Sequence, residues 1–164
     1  MPRSGRVEKR RIEGDPIYYN QTVAKLINKV MTRGKKTIAQ KIVYAALDDL
    51  KSKGHDPTQT LESALENITP KMEVRPRRVG GASYMVPMEV RGSRRLSLAL
   101  TWLIAAARSK TPQEVERPKN KPLMIAKLST EILAASQGTG KAVSKKEEMH
   151  RMAEANKAFA HFRW

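Results

Sequence analysis

Between Lys71 and Arg95 the chain reads KMEVRPRRVGGASYMVPMEVRGSRR, placing Lys71, Arg75, Arg77, Arg78, Arg91, Arg94 and Arg95 against only Glu73 and Glu89. Six of these seven cations are arginines. A guanidinium is a planar fork that pairs with phosphate oxygens two at a time and stacks on bases, which the point charge of lysine does less well. The chemistry on offer is recognition of an anionic backbone. A solvated surface ribbon whose charges merely discourage aggregation is the plainer alternative, and the arginine bias favours the polyanion.

Bond-making chemistry finds no comparable grouping. His55, His150 and His161 are scattered, none stands in an HExxH arrangement, and the absence of cysteine argues against zinc. No metal and no cofactor is expected. His150 and His161 read as surface or RNA-contacting residues. Gly138-Thr139-Gly140-Lys141 has the look of a phosphate loop, yet it lacks the preceding strand and the remaining spacing, so it reads as an interhelical turn. Glu147 and Glu148 are adjacent and therefore on different sides of a helix, poor geometry for an acid/base pair.

The element that must position the arginines is a hairpin. Met72–Val79 and Tyr84–Val90 alternate like strands around Gly80-Gly81-Ala82-Ser83, and Gly80 and Gly81 supply the positive φ angles of a tight turn. Tyr84, Val86, Met88 and Val90 share one face. Tyr84 is open to two uses, stacking on a base or packing on the helices. Pro76 and Pro87 lack an N–H and oppose a further strand on either side, which predicts a lone two-stranded ribbon. Each arm, at ~3.3 Å per residue, would reach roughly 25 Å. A lone hairpin is marginal in water and needs a partner.

Helices must carry that ribbon. Asp15-Pro16 predicts the start of a first helix with Val23, Leu26, Ile27, Val30 and Met31 as its stripe and Gly34 as its stop. Ala39, Ile42, Val43, Ala46, Leu47 and Leu50 mark a second helix, closed by Lys53-Gly54. Asp56-Pro57 opens a third, with Leu61, Ala64, Leu65 and Ile68, ending before Pro70. Lys35 and Lys36, between the first two, are either solvated or in contact with phosphate.

After the ribbon, Ser93 is the expected N-cap of a fourth helix whose broad face, Leu96, Ala99, Leu100, Leu103, Ala106 and Ala107 with Trp102 beside it, implies packing on two sides. Arg94 and Arg95 in its first turn oppose the macrodipole, for which an external anion is a reasonable cause. The proline-bearing segment 111–122 reads as an exposed loop. Leu123 to Ser136 forms a fifth helix on Ile125, Leu128 and Ile132. A charge-dense last helix runs from Lys141 to about Ala160, held by Met149, Met152, Ala153 and Phe159.

The expected fold is thus mainly α: a single domain of about six helices with one protruding β-hairpin between the third and fourth. Residues 1–14 form a basic arm bearing Arg3, Arg6, Lys9, Arg10 and Arg11, residues 15–160 the helical body with the hairpin at 72–90, and residues 161–164 a tail.

Whole-chain quantities agree. The 32 Lys+Arg exceed the 16 Asp+Glu to give +16 over 164 residues, more than solubility requires and costly through self-repulsion, so a polyanionic partner is implied. The longest apolar run, Leu96 to Ala107, is too short to span a bilayer, the N-terminus lacks a signal-like apolar stretch, and no membrane partner is expected.

Taken together, RRVGG (Arg77–Gly81), VPMEV (Val86–Val90), the closing HRMAEANKAFAHFRW (His150–Trp164) and the early DPIYYNQTVAKLINKVMTRGKK resemble the bacterial-type small-subunit ribosomal protein S seven family, in order over nearly the whole chain. The resemblance implies a helical body with a protruding hairpin that binds the 3′ major domain of small-subunit rRNA early and nucleates assembly of the subunit head. It also implies a place near the mRNA exit path and the exit-site tRNA, beside proteins S nine and S eleven. Family rRNA contacts would fall on Arg3, Arg6, Lys9, Arg10, Arg11, Lys35, Lys36, Arg75, Arg77, Arg78, Arg91, Arg94 and Arg95. The 111–122 loop looks longer than in most members. Asp15-Pro16-Ile17-Tyr18 has a cyanobacterial or plastid flavour, so the implied ribosome is that of a bacterial cytoplasm or of a plastid stroma. The rival class is a DNA-architectural protein with a proline-bearing β-arm; the mid-chain position of the arm and the sequence sufficient for a monomeric core argue against it.

Overall fold

The stripes spaced at helical intervals in the sequence converge on one core in the computed structural model, which describes residues 12–114 and 122–162. The helices are α1 (Gln21–Val30), α2 (Lys36–Ser52), α3 (Pro57–Ile68), α4 (Gly92–Ser109), α5 (Leu123–Ser136) and α6 (Lys141–Ala155). Between α3 and α4 lies a two-stranded antiparallel sheet, β1 (Met72–Val79) with β2 (Ala82–Glu89). Short 3-10 turns follow α4 at Pro112–Glu114 and α6 at Lys157–Phe162.

Val23, Leu26, Ile27 and Val30 from α1, Ala39, Val43, Ala46, Leu47 and Leu50 from α2, and Leu61, Ala64, Leu65 and Ile68 from α3 are buried together; Met31 and Ile42 are only partly so. The broad face of α4 meets α1, α3, α5 and α6, as its width predicts. The more central position nevertheless belongs to α5, which packs on α2, α3 and α4. Its sequence, LMIAKLSTEILAAS, is apolar around most of its circumference, the composition of a helix buried on more than one side.

Burial of α5 extends to a carboxylate. Glu131 is fully buried; its Oε1 accepts the Ala142 N–H at 2.9 Å, and Lys110 Nζ stands 3.0 Å from Oε2. One internal acid thus ties the end of α4 to the start of α6. Gly140, at φ 96°, sits where an added Cβ would come within 3.0 Å of that Oε1. The Gly138-Thr139-Gly140 segment is therefore an interhelical turn closed on an internal anion.

Four local expectations need correction. The second strand runs over Ala82–Glu89, not Tyr84–Val90, because Ala82 and Ser83 pair with Val79 and Arg78 and leave only Gly80-Gly81 as the turn. The first helix starts at Gln21, not at Asp15-Pro16. Asn20 is its N-cap, accepting the Thr22 N–H at 2.7 Å, whereas Asp15 folds a separate turn by accepting the N–H groups of Ile17 and Tyr18. Ser93 does not cap α4; Arg91 occupies the cap position with no side-chain hydrogen bond. The last helix ends at Ala155, with Met152 exposed and the chain tightening into the 3-10 turn that carries Phe159.

Candidate nucleic-acid interface

Gly80 and Gly81 form the two-residue turn of the hairpin, at φ 56° and 91°, the left-handed pair that matches the twist of the flanking strands. Register follows from that turn: Val79 faces Ala82, Arg78 faces Ser83, Arg77 faces Tyr84, Pro76 faces Met85 and Val74 faces Pro87. The turn and Ser83 are exposed, while Val86 and Pro87 are both buried, so the ribbon is covered on both faces near its base and bare at its far end.

The partner a lone hairpin needs is the C-terminal part of the chain. The Tyr84 ring lies 5.2 Å from Phe159 and 5.3 Å from Phe162, within the range of favourable aromatic pairs. Of its two open uses, Tyr84 is thus engaged in packing. The Lys71 N–H donates to His150 Nε2 at 3.0 Å. Burial first, then the nearby charges of Lys146 and Lys71, hold the His150 imidazole below its ordinary range and keep that nitrogen free to accept. Far from being a bare surface group, His150 fastens the entry to β1.

The arginines divide into two sets. Glu73, 5% exposed, accepts from Arg75 Nε at 2.6 Å and from Arg94 Nε at 2.7 Å, one oxygen each. Arg95 donates to Glu89 Oε1 and to the Val90 carbonyl, both at 2.8 Å. The two cations at the start of α4 are therefore offset by the hairpin's own carboxylates, and an external anion is not needed to account for them. The side chains of Arg77, Arg78 and Arg91 make no hydrogen bond or ion pair among the described residues, and neither do those of Lys35 and Lys36.

Lys35 occupies the cap position of α2 and Lys36 its first turn. A groove of about 450 Å³ lies between residues 12–16, Asn28 of α1, and Lys36 and Gln40 of α2. A second, of about 580 Å³, lies between Lys25, Asn28 and Lys29 of α1 and Gly92, Ser93 and Ser97 of α4. Ile12 and Asn28 line both, so the outer face of α1 joins the start of α2 to the start of α4. The arm cations Arg3, Arg6, Lys9, Arg10 and Arg11 lie outside the described residues, as do residues 115–121 of the proline-bearing loop. One basic residue escapes the sequence reading: Arg33 is exposed, without an internal partner among the described residues, and held at φ 53°. Its position beside Gly34, in the same connection as Lys35 and Lys36, was the available signal.

Among the described residues no three His, Cys, Asp or Glu side chains gather as metal ligands, and no helix is long and apolar enough to cross a membrane. What the geometry presents is exposed, unneutralised guanidinium and ammonium groups on a rigid helical body.

A sequence model described as Ribosomal protein S7p/S5e matches residues 2–157. The chain belongs to that family. It is similar to the small ribosomal subunit protein uS7 of Caldicellulosiruptor bescii, at 57% identity with all of both chains covered. The protein of the same description from Thermotoga neapolitana is 56% identical over 99% of each chain, and that from Thermoanaerobacter sp. strain X514 is 53% identical with both fully covered. Membership makes the chain a structural component of the small ribosomal subunit and not an enzyme.

Proposed function

We propose that this chain binds the 3′ major domain of small-subunit rRNA directly and nucleates assembly of the subunit head in a bacterial ribosome. In the assembled subunit it lies near the mRNA exit path and the exit-site tRNA, with proteins S nine and S eleven as neighbours. The observation that carries the reading is a set of three arginines, Arg78 and Arg91 exposed and Arg77 half-buried, without internal acids among the described residues. In a chain of net charge +16, such groups are available to phosphate at no cost in internal pairs.

The mechanism is a clamp. The hairpin, the α1–α2 connection and the basic arm of residues 1–14 each take a segment of RNA backbone around a junction, which fixes register. Shape and unpaired bases supply specificity, because the deep, narrow major groove of A-form RNA excludes side chains. Competition tests this: folded 3′ domain rRNA should displace the protein from an equal mass of duplex DNA at 0.2 M salt. Equal affinity for the duplex overturns the reading and favours a DNA-architectural role.

A further inference from the structure

Two residues other than glycine sit in the left-handed region among the described residues, Arg33 and Tyr19, at opposite ends of α1. Tyr19, at φ 51°, leaves its aromatic side chain 88% exposed. A bulky residue in that region is strained, and such strain persists only where the surroundings over-determine it. Here they do. Asp15, 2% exposed, accepts the Ile17 and Tyr18 N–H groups at 3.1 and 3.2 Å and the Tyr44 hydroxyl at 2.6 Å. The Tyr19 N–H donates to the Asp15 carbonyl at 2.8 Å, and the Asp15 N–H donates to the Asn20 carbonyl at 3.3 Å. Burial and the Asp15 carboxylate push the Tyr44 hydroxyl up to about 12, so this anchor stays a donor through the physiological range. A five-residue turn closed by these bonds thus holds a tyrosine ring out in solvent with no ring partner of its own among the described residues.

We propose that Tyr19 is a stacking platform for an unpaired RNA base. The inference rests on the rRNA-binding reading above. A ring that serves packing would be covered; this one is presented, and a preorganised ring gives stacking without the entropy of ordering a loop. Charge decides between a nucleotide and an apolar protein side chain as the occupant. Asp15 also lines, with Glu13 but not Tyr19 itself, the polar groove of about 450 Å³, whose opposite wall carries Lys36, Asn28 and Gln40, in a chain of net charge +16. Lys36 is exposed and unpaired among the described residues, with Lys35 beside it, and no acid stands in the first turn of α2. A base lying on the ring would carry its ribose and phosphate toward these donors. Aromatic stacking of this kind tolerates any base and is lost with the ring.

Full-length protein carrying Tyr19→Phe, Tyr19→Ala or Tyr19→Gly should be titrated with folded 3′ major domain rRNA at 0.2 M salt, with an Arg77→Ala/Arg78→Ala variant alongside. Tyr19→Phe should bind like the parent, and both other variants about tenfold more weakly. Tyr19→Gly, freed of the backbone strain, should also melt about 2–4 °C higher than the parent. Stability gained while affinity falls is an outcome that a merely structural role for the ring does not produce. Parent-like rRNA binding by Tyr19→Ala and Tyr19→Gly overturns the platform, and if those variants then fail to enter small subunits, the ring serves a protein partner instead. If Arg77→Ala/Arg78→Ala alone binds normally, the clamp of the hairpin is wrong and the platform stands on its own result.

Discussion

Near the base of the hairpin Arg75 and Arg94 converge on the buried Glu73, and Arg95 is held by Glu89 and the Val90 carbonyl. Two and three residues beyond Arg75 on the same strand, Arg77 and Arg78 have no acid among the described residues. Composition is alike in the two regions, but their environments divide the labour. A carboxylate withdrawn from water by burial must be paired, and two guanidinium forks take one oxygen each. That arrangement bridges β1 to the start of α4 and fixes where the ribbon leaves the body. Toward the turn nothing is buried and nothing needs neutralising, so the charge remains for an external anion. An arginine-rich stretch thus holds two kinds of cation, those paired with Glu73 or Glu89 and those left without an internal acid among the described residues.

The sharpest way to break this division is to remove the outer pair. Arg77→Ala/Arg78→Ala should weaken binding to 3′ domain rRNA by about 2–3 kcal/mol, roughly 30- to 150-fold, with an unchanged unfolding midpoint in urea. Loss of helicity instead would make those residues structural. Removing the buried carboxylate should do the reverse. Glu73→Ala should lower unfolding stability by about 1–2 kcal/mol in urea melts, less than for a fully buried pair because both guanidinium partners remain about half exposed and regain water.

The smallest effect concerns the other fastening of the base, the Lys71 N–H on His150. With its pKa held below the ordinary 6.5, the folded protein takes up this proton later than the unfolded chain as pH falls. The stabilisation is therefore complete above about pH 6.5 and is lost as pH drops through the folded-state value. Parent protein should lose stability more steeply than His150→Gln between pH 7.5 and 5.5, by less than the ~1 kcal/mol of one hydrogen bond. Parallel pH profiles would contradict that role.

Much of this was legible in the residues, and the misses share a cause. Asp56-Pro57 and Asp15-Pro16 carry the same start signal. At Asp56 the carboxylate caps Thr58 and Gln59 N–H groups and a helix follows at once. At Asp15 the apolar stripe begins only at Val23, Asn20 offers a second cap nearer to it, and Asp15 is left to close a turn of its own. The glycine pair and the two prolines fixed the hairpin because turn geometry and strand edges are local properties. The pairing of Arg94 with Glu73 was not legible, since the partners stand 21 residues apart and meet only once the ribbon has folded. Contacts of Tyr84 with Phe159 and Phe162 were hidden for the same reason, as was the capture of Ala142 by Glu131.

The central claim is that cations without internal acids carry the RNA contact and paired ones do not. Salt dependence measures it most directly. In a plot of log affinity for folded 3′ domain rRNA against log salt, each phosphate contact contributes a slope of about −0.7 to −0.9. Arg77→Ala/Arg78→Ala should flatten the slope by about 1.4–1.8, and Arg75→Ala by less than about 0.5. Equal flattening by the two, or none by the first, would contradict the account.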